Sequence, residues 1–226
     1  MMCVMERGDS TCWTLVRAAA AGDVESRETF SRLYGPVIRA YLSARWRLPV
    51  LHEDVADGAQ EVFLQCFKPG GALGRASADR SGGFRAYLFG VVRNVAGTLD
   101  EARRRRRVSP AEVEDAPSDD PTLSRVFDRA FARALTREAR RLMEERAAGE
   151  GHAQLRVRAL ELMYEHGLPA RDVATRMNLD VSAVYIHLSR GRKEFRAALL
   201  EVLASYHPDD TKEELERRCV EIFTAL

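Results

Sequence analysis

Apolar side chains recur every three or four positions along most of the chain, with charged residues between them, which is the pattern of amphipathic helices. Over 26–42 the stripe is Phe30, Leu33, Val37, Ile38 and Tyr41, with Pro36 placed to bend or interrupt it. A second stripe joins Val55, Ala59, Val62, Phe63, Cys66 and Phe67, while Glu53, Asp57, Gln60 and Glu61 take much of the opposite face and Lys68-Pro69-Gly70-Gly71 ends the helix. A third joins Phe84, Leu88, Val91, Val92, Val95 and Leu99 and runs directly into five consecutive arginines. The stretch 70–83 between the second and third stripes is rich in Gly, Ala, Ser and charge and has no period, so it predicts an exposed loop.

The pattern breaks at Val108. SPAEVEDAPSDDP combines prolines with acidic residues and lacks large apolar side chains, which is linker chemistry. Helical periodicity resumes over 123–146 and 154–164, separated by Ala147-Ala148-Gly149-Glu150-Gly151, then over 170–177 and 181–203 with Asn178-Leu179-Asp180 between them. A tail over 205–226 ends in a further helical pattern at 211–226, with Leu215, Cys219, Ile222 and Phe223 on one side. Three placements of this tail stay open: packed on the second domain, bound to a regulator or polymerase, or mobile. No strand-period alternation is sustained anywhere. The expected fold is all-α: two small helical domains, 1–107 and 125–204, joined by a flexible acidic linker over 108–124.

The segment 168–200 has the organisation of a helix-turn-helix. Val173 and Met177 lie one turn apart on its first helix, Leu179 sits in the turn, and Val184, Leu188, Phe195 and Leu199 line one side of the second. Asp180 is placed to cap the second helix by accepting from the backbone N–H groups of its first turn. The opposite face presents Ser182, Tyr185, His187, Ser189, Arg190, Arg192 and Lys193. Hydroxyls and an imidazole suit base edges, and the later cations suit phosphates. The same periodicity also describes a two-helix corner whose charged face is merely solvated.

Composition narrows the function classes. Hydrophobic residues make up 46% of the 226, enough for real cores, but 35 Lys and Arg stand against 34 Asp and Glu, a net charge of +1. Nucleic-acid binding must therefore rest on local patches. No apolar run approaches the roughly 20 residues that span a bilayer, and the opening MMCVMERGDS lacks a signal-peptide core, so a cytoplasmic protein is expected. Cys3, Cys12, Cys66 and Cys219 form no CxxC pair, and glycine-rich phosphate loops, HExxH and GxSxG are missing. No catalytic residue, cofactor or metal is expected.

LELMYEHGLPARDVATRMNLDVSAVYIHLSRGRKEFR closely resembles the fourth conserved region of extracytoplasmic-function (group IV) sigma factors, its LSRGRKEFR ending most specifically. DGAQEVFLQCF, then FRAYLFGVVRNVA and the arginine run, look like the second conserved region of the same family, in the right order. The resemblance covers about 13–107 and 125–203. It implies a sigma factor that directs bacterial core RNA polymerase to promoters and opens the −10 element, with catalysis left to the polymerase.

By that resemblance Asp57, Gln60 and Glu61 contact the clamp coiled coil of the polymerase's largest subunit. Arg85, Tyr87, Arg93 and Asn94 face the −10 DNA, and Arg103, Arg104, Arg105, Arg106 and Arg107 hold nearby phosphates through sequence-blind, salt-dependent contacts. Phe84 fits the core stripe better than a stacking platform. The helix-turn-helix binds −35 DNA and the polymerase flap, and the linker threads the RNA-exit path. An anti-sigma protein or the tail itself is an open choice of regulator. Tyr185 and His187 stand where many relatives are basic, so −35 preference does not transfer; the common Leu-Pro pair ahead of the fourth region is replaced by Ala147 to Gly151, which leaves the spacing and orientation of that region's first helix open. Two rivals remain: for the arginine run, a nuclear-localisation or RNA-binding segment, and for the chain, a polymerase-independent helix-turn-helix transcriptional regulator whose tail supplies a dimer surface.

Overall fold

The computed structural model describes residues 12–77, 83–106, 121–207 and 209–226. Among these the regular structure is helical and no strand occurs, as the periodicity predicts. Contacts divide the chain into two compact units: Met1–Ala134 with Ser205–Asp210 and Ile222–Leu226, and Leu135–Ala204 with Thr211–Glu221. The composition break lies mostly outside the described residues, and the division itself falls inside a helix.

The first unit is built from α1 (Cys12–Ala21), α2 (Val24–Trp46), α3 (Glu53–Phe67), α4 (Gly83–Arg106) and the first half of α5 (Pro121–Ala147). α1, which the sequence pattern did not single out, packs on α2 and carries the buried Trp13 and Val16. Asp23 caps α2, its Oδ2 accepting the Ser26 N–H at 2.8 Å, and Pro36 lies inside the helix without ending it. α3 opens with Glu53 and Asp54, carboxylates that favour the amino-terminal end of a helix dipole. Pro121 starts α5 at the first helical position, where its missing N–H costs nothing.

The core follows the first two stripes closely. Phe30, Tyr34, Val37, Ile38, Tyr41 and Leu42 of α2 meet Val55, Ala59, Val62 and Cys66 of α3. The third stripe needs correcting. Its buried line is Phe84, Leu88, Val92 and Ala96, spaced by four, whereas Val91, Val95 and Leu99 face an open groove. Phe84 is buried as expected, edge-on to Trp13 at 5.8 Å and Phe30 at 6.0 Å. Gly58 exists for close approach: a Cβ there would sit 2.8 Å from Cζ3 of Trp46. The stretch predicted as exposed loop is also corrected in part. Gly71, Ala72 and Leu73 are buried, and Leu73–Arg75 forms a 3₁₀ turn tied back through the Ala72 N–H to the Gln65 carbonyl at 2.9 Å. Residues 78–82 lie outside the description.

Ser205–Asp210 and Ile222–Leu226 group with this unit. Tyr206, at the end of α8 (Val181–Tyr206), shares a buried 2.6 Å hydroxyl hydrogen bond with Tyr34 and meets Phe131 edge-on. The Leu226 backbone oxygen accepts from Arg129 Nε at 2.9 Å.

The second unit comprises the rest of α5, α6 (Gly151–Tyr164), α7 (Ala170–Met177), most of α8 and most of α9 (Lys212–Ala225). Its core joins Ala159 and Leu162 of α6, Val173 and Ala174 of α7, and Val184 and Leu188 of α8. Arg140 pairs with Glu144 and Glu165, holding α5 to the end of α6. Arg196 of α8 pairs with Glu216 of α9 at 3.7 Å, and Cys219 is buried. No helix among the described residues is long and apolar enough to cross a membrane.

Candidate nucleic-acid interface

α7, its turn and α8 form the helix-turn-helix at the predicted places. Asn178 ends α7 in the left-handed conformation, φ 52°, which Asn tolerates better than most residues. Its N–H and that of Leu179 donate to the carbonyls of Thr175 and Ala174 at 3.3 and 3.0 Å, closing a reversed turn on main-chain bonds. Asp180 directly precedes α8, and its main-chain carbonyl accepts the Val184 N–H at 3.1 Å; the expected capping bond to its carboxylate is not among the hydrogen bonds of this turn.

Val184 and Leu188 turn inward and are fully buried, so the residues between them must face out. Ser182, Tyr185, Ser189, Arg190, Arg192 and Lys193 are exposed, and His187 is half-buried. Ile186 is exposed beside them, an apolar contact that the polar-face reading missed. Arg192 leans back toward α6, its Nε donating to the Tyr164 hydroxyl at 2.7 Å. Gly191 is buried where a side chain would press on Leu160 and the Arg156 carbonyl at 3.2–3.3 Å, so α6 and α8 approach closely there.

That approach also brings His152 of α6 to His187, ring centroids 6.3 Å apart and nearly parallel at 20°. Partial burial, with His152, Arg156 and Arg190 alongside, holds the His187 imidazole below its ordinary pKa. Neither His152 nor Arg156 was singled out in the sequence, since both precede the helix-turn-helix.

This is an all-helical helix-turn-helix with cations grouped on its outer side. Residues 156–195 match the family described as sigma-70, region 4. The match spans 40 of the 226 residues and suggests a sigma-factor or DNA-binding role. No curated protein matches the chain. The region 4 match covers α6 from Arg156, all of α7 and most of the outward face of α8.

Outside region 4, the residues singled out in the first unit fall into different surroundings. Asp57 and Gln60 are exposed on α3, and Glu61 accepts from Gln65 Nε2 at 2.7 Å. Between α3, α4 and the 3₁₀ turn lies a groove of about 660 Å³ lined by Glu61, Gln65, Arg75, Tyr87 and Asn94 among others. Tyr87 donates its hydroxyl proton to the Ala72 carbonyl there. Gln65 of α3 and Arg75 of the 3₁₀ turn were not singled out: Gln65 is one more polar position on a helix, and the loop around Arg75 has no period.

The cations of α4 are largely engaged. Arg85 pairs with Asp128, reaches Ser124 Oγ at 3.3 Å and lies over the rings of Phe89 and Phe127. Arg103 stacks on Trp46 at 3.9 Å and pairs with Asp54 at 3.2 Å. Arg105 lies 3.9 Å from Glu101, Arg104 is exposed and Arg93 is half-buried. Arg106 is the last residue of α4, and Arg107 lies outside the described residues.

Proposed function

We propose that this chain is a sigma factor of the extracytoplasmic-function class, directing core RNA polymerase to promoters and opening the −10 element. The observation that carries the reading is the region 4 match laid over a helix-turn-helix whose second helix presents Ser182, Tyr185, His187, Ser189, Arg190 and Lys193 outward. Serine hydroxyls, the Tyr185 phenol and the His187 imidazole meet base edges of the −35 duplex, and Arg190, Arg192 and Lys193 meet phosphates.

In this reading the first unit is the region 2 counterpart. Asp57, Gln60 and Glu61 engage the polymerase clamp. The groove over Tyr87 and Asn94 receives an unpaired base of the −10 strand, whose extrusion costs a few kcal/mol that stacking and hydrogen bonds offset. Arg93 and the arginines at 104–107 contribute phosphate contacts, while Arg85 and Arg103 must first release Asp128 and Asp54 to reach DNA. The acidic linker at 108–124 follows the RNA-exit path, and the flap takes region 4. The chain works in the cytoplasm beside the polymerase, with an anti-sigma protein as a candidate regulator.

Run-off transcription with core polymerase on a promoter library tests this directly. Promoter-dependent transcripts are expected, and Tyr185→Ala with His187→Ala shifts −35 preference while polymerase binding persists. A library without any specific transcript, together with no core binding, overturns the reading. The second reading, a polymerase-independent helix-turn-helix regulator, draws on the exposed Val220 and Phe223 of α9 as a dimer surface. Tight binding of the protein alone to a palindrome would favour it.

A further inference from the structure

Val184, Leu188 and Gly191 form the buried seam of α8. At about 100° per residue, Ile186 lies about 160° round the helix from both Val184 and Leu188, at the centre of the opposite face. Tyr185 and His187 each lie within about 100° of both of those buried residues, on the two flanks. Contacts agree with that placement. His187 stacks against His152 of α6, and on the other flank Arg192 is drawn back to the Tyr164 hydroxyl at 2.7 Å. Ile186 is 53% exposed and shares its line with Ser182, Ser189 and Lys193, all exposed and one turn apart in succession. The apolar group on the central line is therefore Ile186, set between two short hydroxyl side chains.

We infer that Ile186 reads the C5-methyl group of a thymine in the −35 duplex, a specificity contact separate from the hydrogen bonds of Tyr185 and His187. The inference rests on the DNA-binding reading of region 4. A helix laid in the major groove brings the centre of its outward face closest to the base edges and turns its flanks toward the phosphate walls. Of the base edges presented there, thymine's carries the apolar group, and the others offer donors and acceptors. Isoleucine can pair with neither. A polar edge pressed against Ile186 loses its water without replacement, whereas the thymine methyl sheds only apolar hydration. Ser182 and Ser189 are short enough to let Ile186 reach the groove floor, and their hydroxyls remain for neighbouring polar edges. Lys193 ends the line with a cation suited to phosphate.

The test uses the full chain with core polymerase on a promoter recovered from the library. Each thymine of its −35 element, on either strand, is replaced in turn by deoxyuridine, which removes the methyl group and nothing else. Competition binding is expected to weaken about fourfold at one position, as for one methyl-sized group left in water. Ile186→Ala should weaken binding to the thymine promoter and erase the thymine–uracil difference at that position, and Ile186→Val should keep part of it. Ile186 is exposed, so neither replacement opens the core, which circular dichroism checks. The inference is overturned if no deoxyuridine changes binding, or if the difference persists undiminished in Ile186→Ala; the wild-type promoter binding then leaves the DNA-binding reading standing. Loss of core binding by Ile186→Ala in the absence of DNA would also overturn it, by placing the residue against polymerase. If wild type recovers no promoter, the DNA-binding reading and this inference fall together.

Discussion

Replacing Gly58 by alanine sets two effects of opposite sign against each other. In an unobstructed helix the change is favourable by about 1 kcal/mol, because glycine has more backbone freedom to lose. Here the new methyl group would meet the Trp46 ring, with Cζ3 at 2.8 Å and Leu42 Cδ1 at 3.1 Å. The ring has little room to yield. Its Nε1 donates to Asp100 Oδ1 at 2.7 Å, and the Arg103 guanidinium covers its face at 3.9 Å. Asp100 also takes Arg45 Nε at 2.8 Å, and Arg45 is buried. Displacing Trp46 disturbs a charge-assisted hydrogen bond worth about 1.5–3 kcal/mol and a cation–π contact worth about 0.5–1 kcal/mol or more. Subtracting the propensity gain leaves a net loss of about 1–3 kcal/mol, in the usual range for overpacking. With a urea slope of about 2 kcal/mol/M, the midpoint falls by about 1 M.

The chain has two tryptophans, Trp13 and Trp46, both in the first unit. Intrinsic fluorescence therefore follows unfolding of that unit selectively. An unchanged or raised midpoint for Gly58→Ala would refute the packing of Trp46 over α3. In a Trp46→Leu background, where Trp13 still reports, the same change should be neutral or stabilising.

Two further outcomes are expected. Leu188→Ala empties a fully buried position shared by α6, α7 and α8 and should cost about 2–5 kcal/mol, visible as loss of helical circular dichroism at lower urea; a cost under 0.5 kcal/mol would mean that α8 does not close this core. Burial pushes the Cys66 thiol up to about 12, so at pH 8 it is almost wholly protonated and should resist a disulfide reagent in a Cys3→Ser, Cys12→Ser, Cys219→Ser background until urea unfolds the unit; the thiolate and its reactivity grow as pH rises toward that value, and rapid native-state labelling at pH 8 would contradict the burial.

Periodicity shows which face of a helix is apolar, and it located α3, α7, α8 and the inward turn of Phe84 well. It does not show which cation meets which carboxylate far along the chain. Arg85 looked free for DNA because Asp128 lies 43 residues away on a helix beyond the composition break. Arg103 belonged to a basic run by sequence, yet it closes over Trp46. The third stripe was misread for a related reason: Val91, Val95 and Leu99 share helical spacing with core residues but line a groove, and spacing alone does not separate a buried wall from an open one. Ala72 and Leu73 hid in a loop whose composition resembles solvent-exposed chain. The helix-turn-helix was legible because its determinants are local, with buried residues one turn apart on each helix and a short polar turn between them.

The turn at Asn178 is closed by main-chain hydrogen bonds, and its two helices are fastened by Val173, Ala174, Val184 and Leu188, which never reach the outer surface. Stability and recognition are thus written in separate alphabets within one short stretch. In the proposed reading, Tyr185, Ile186 and His187 can be replaced without emptying the core that supports them, so target preference is separable from architecture.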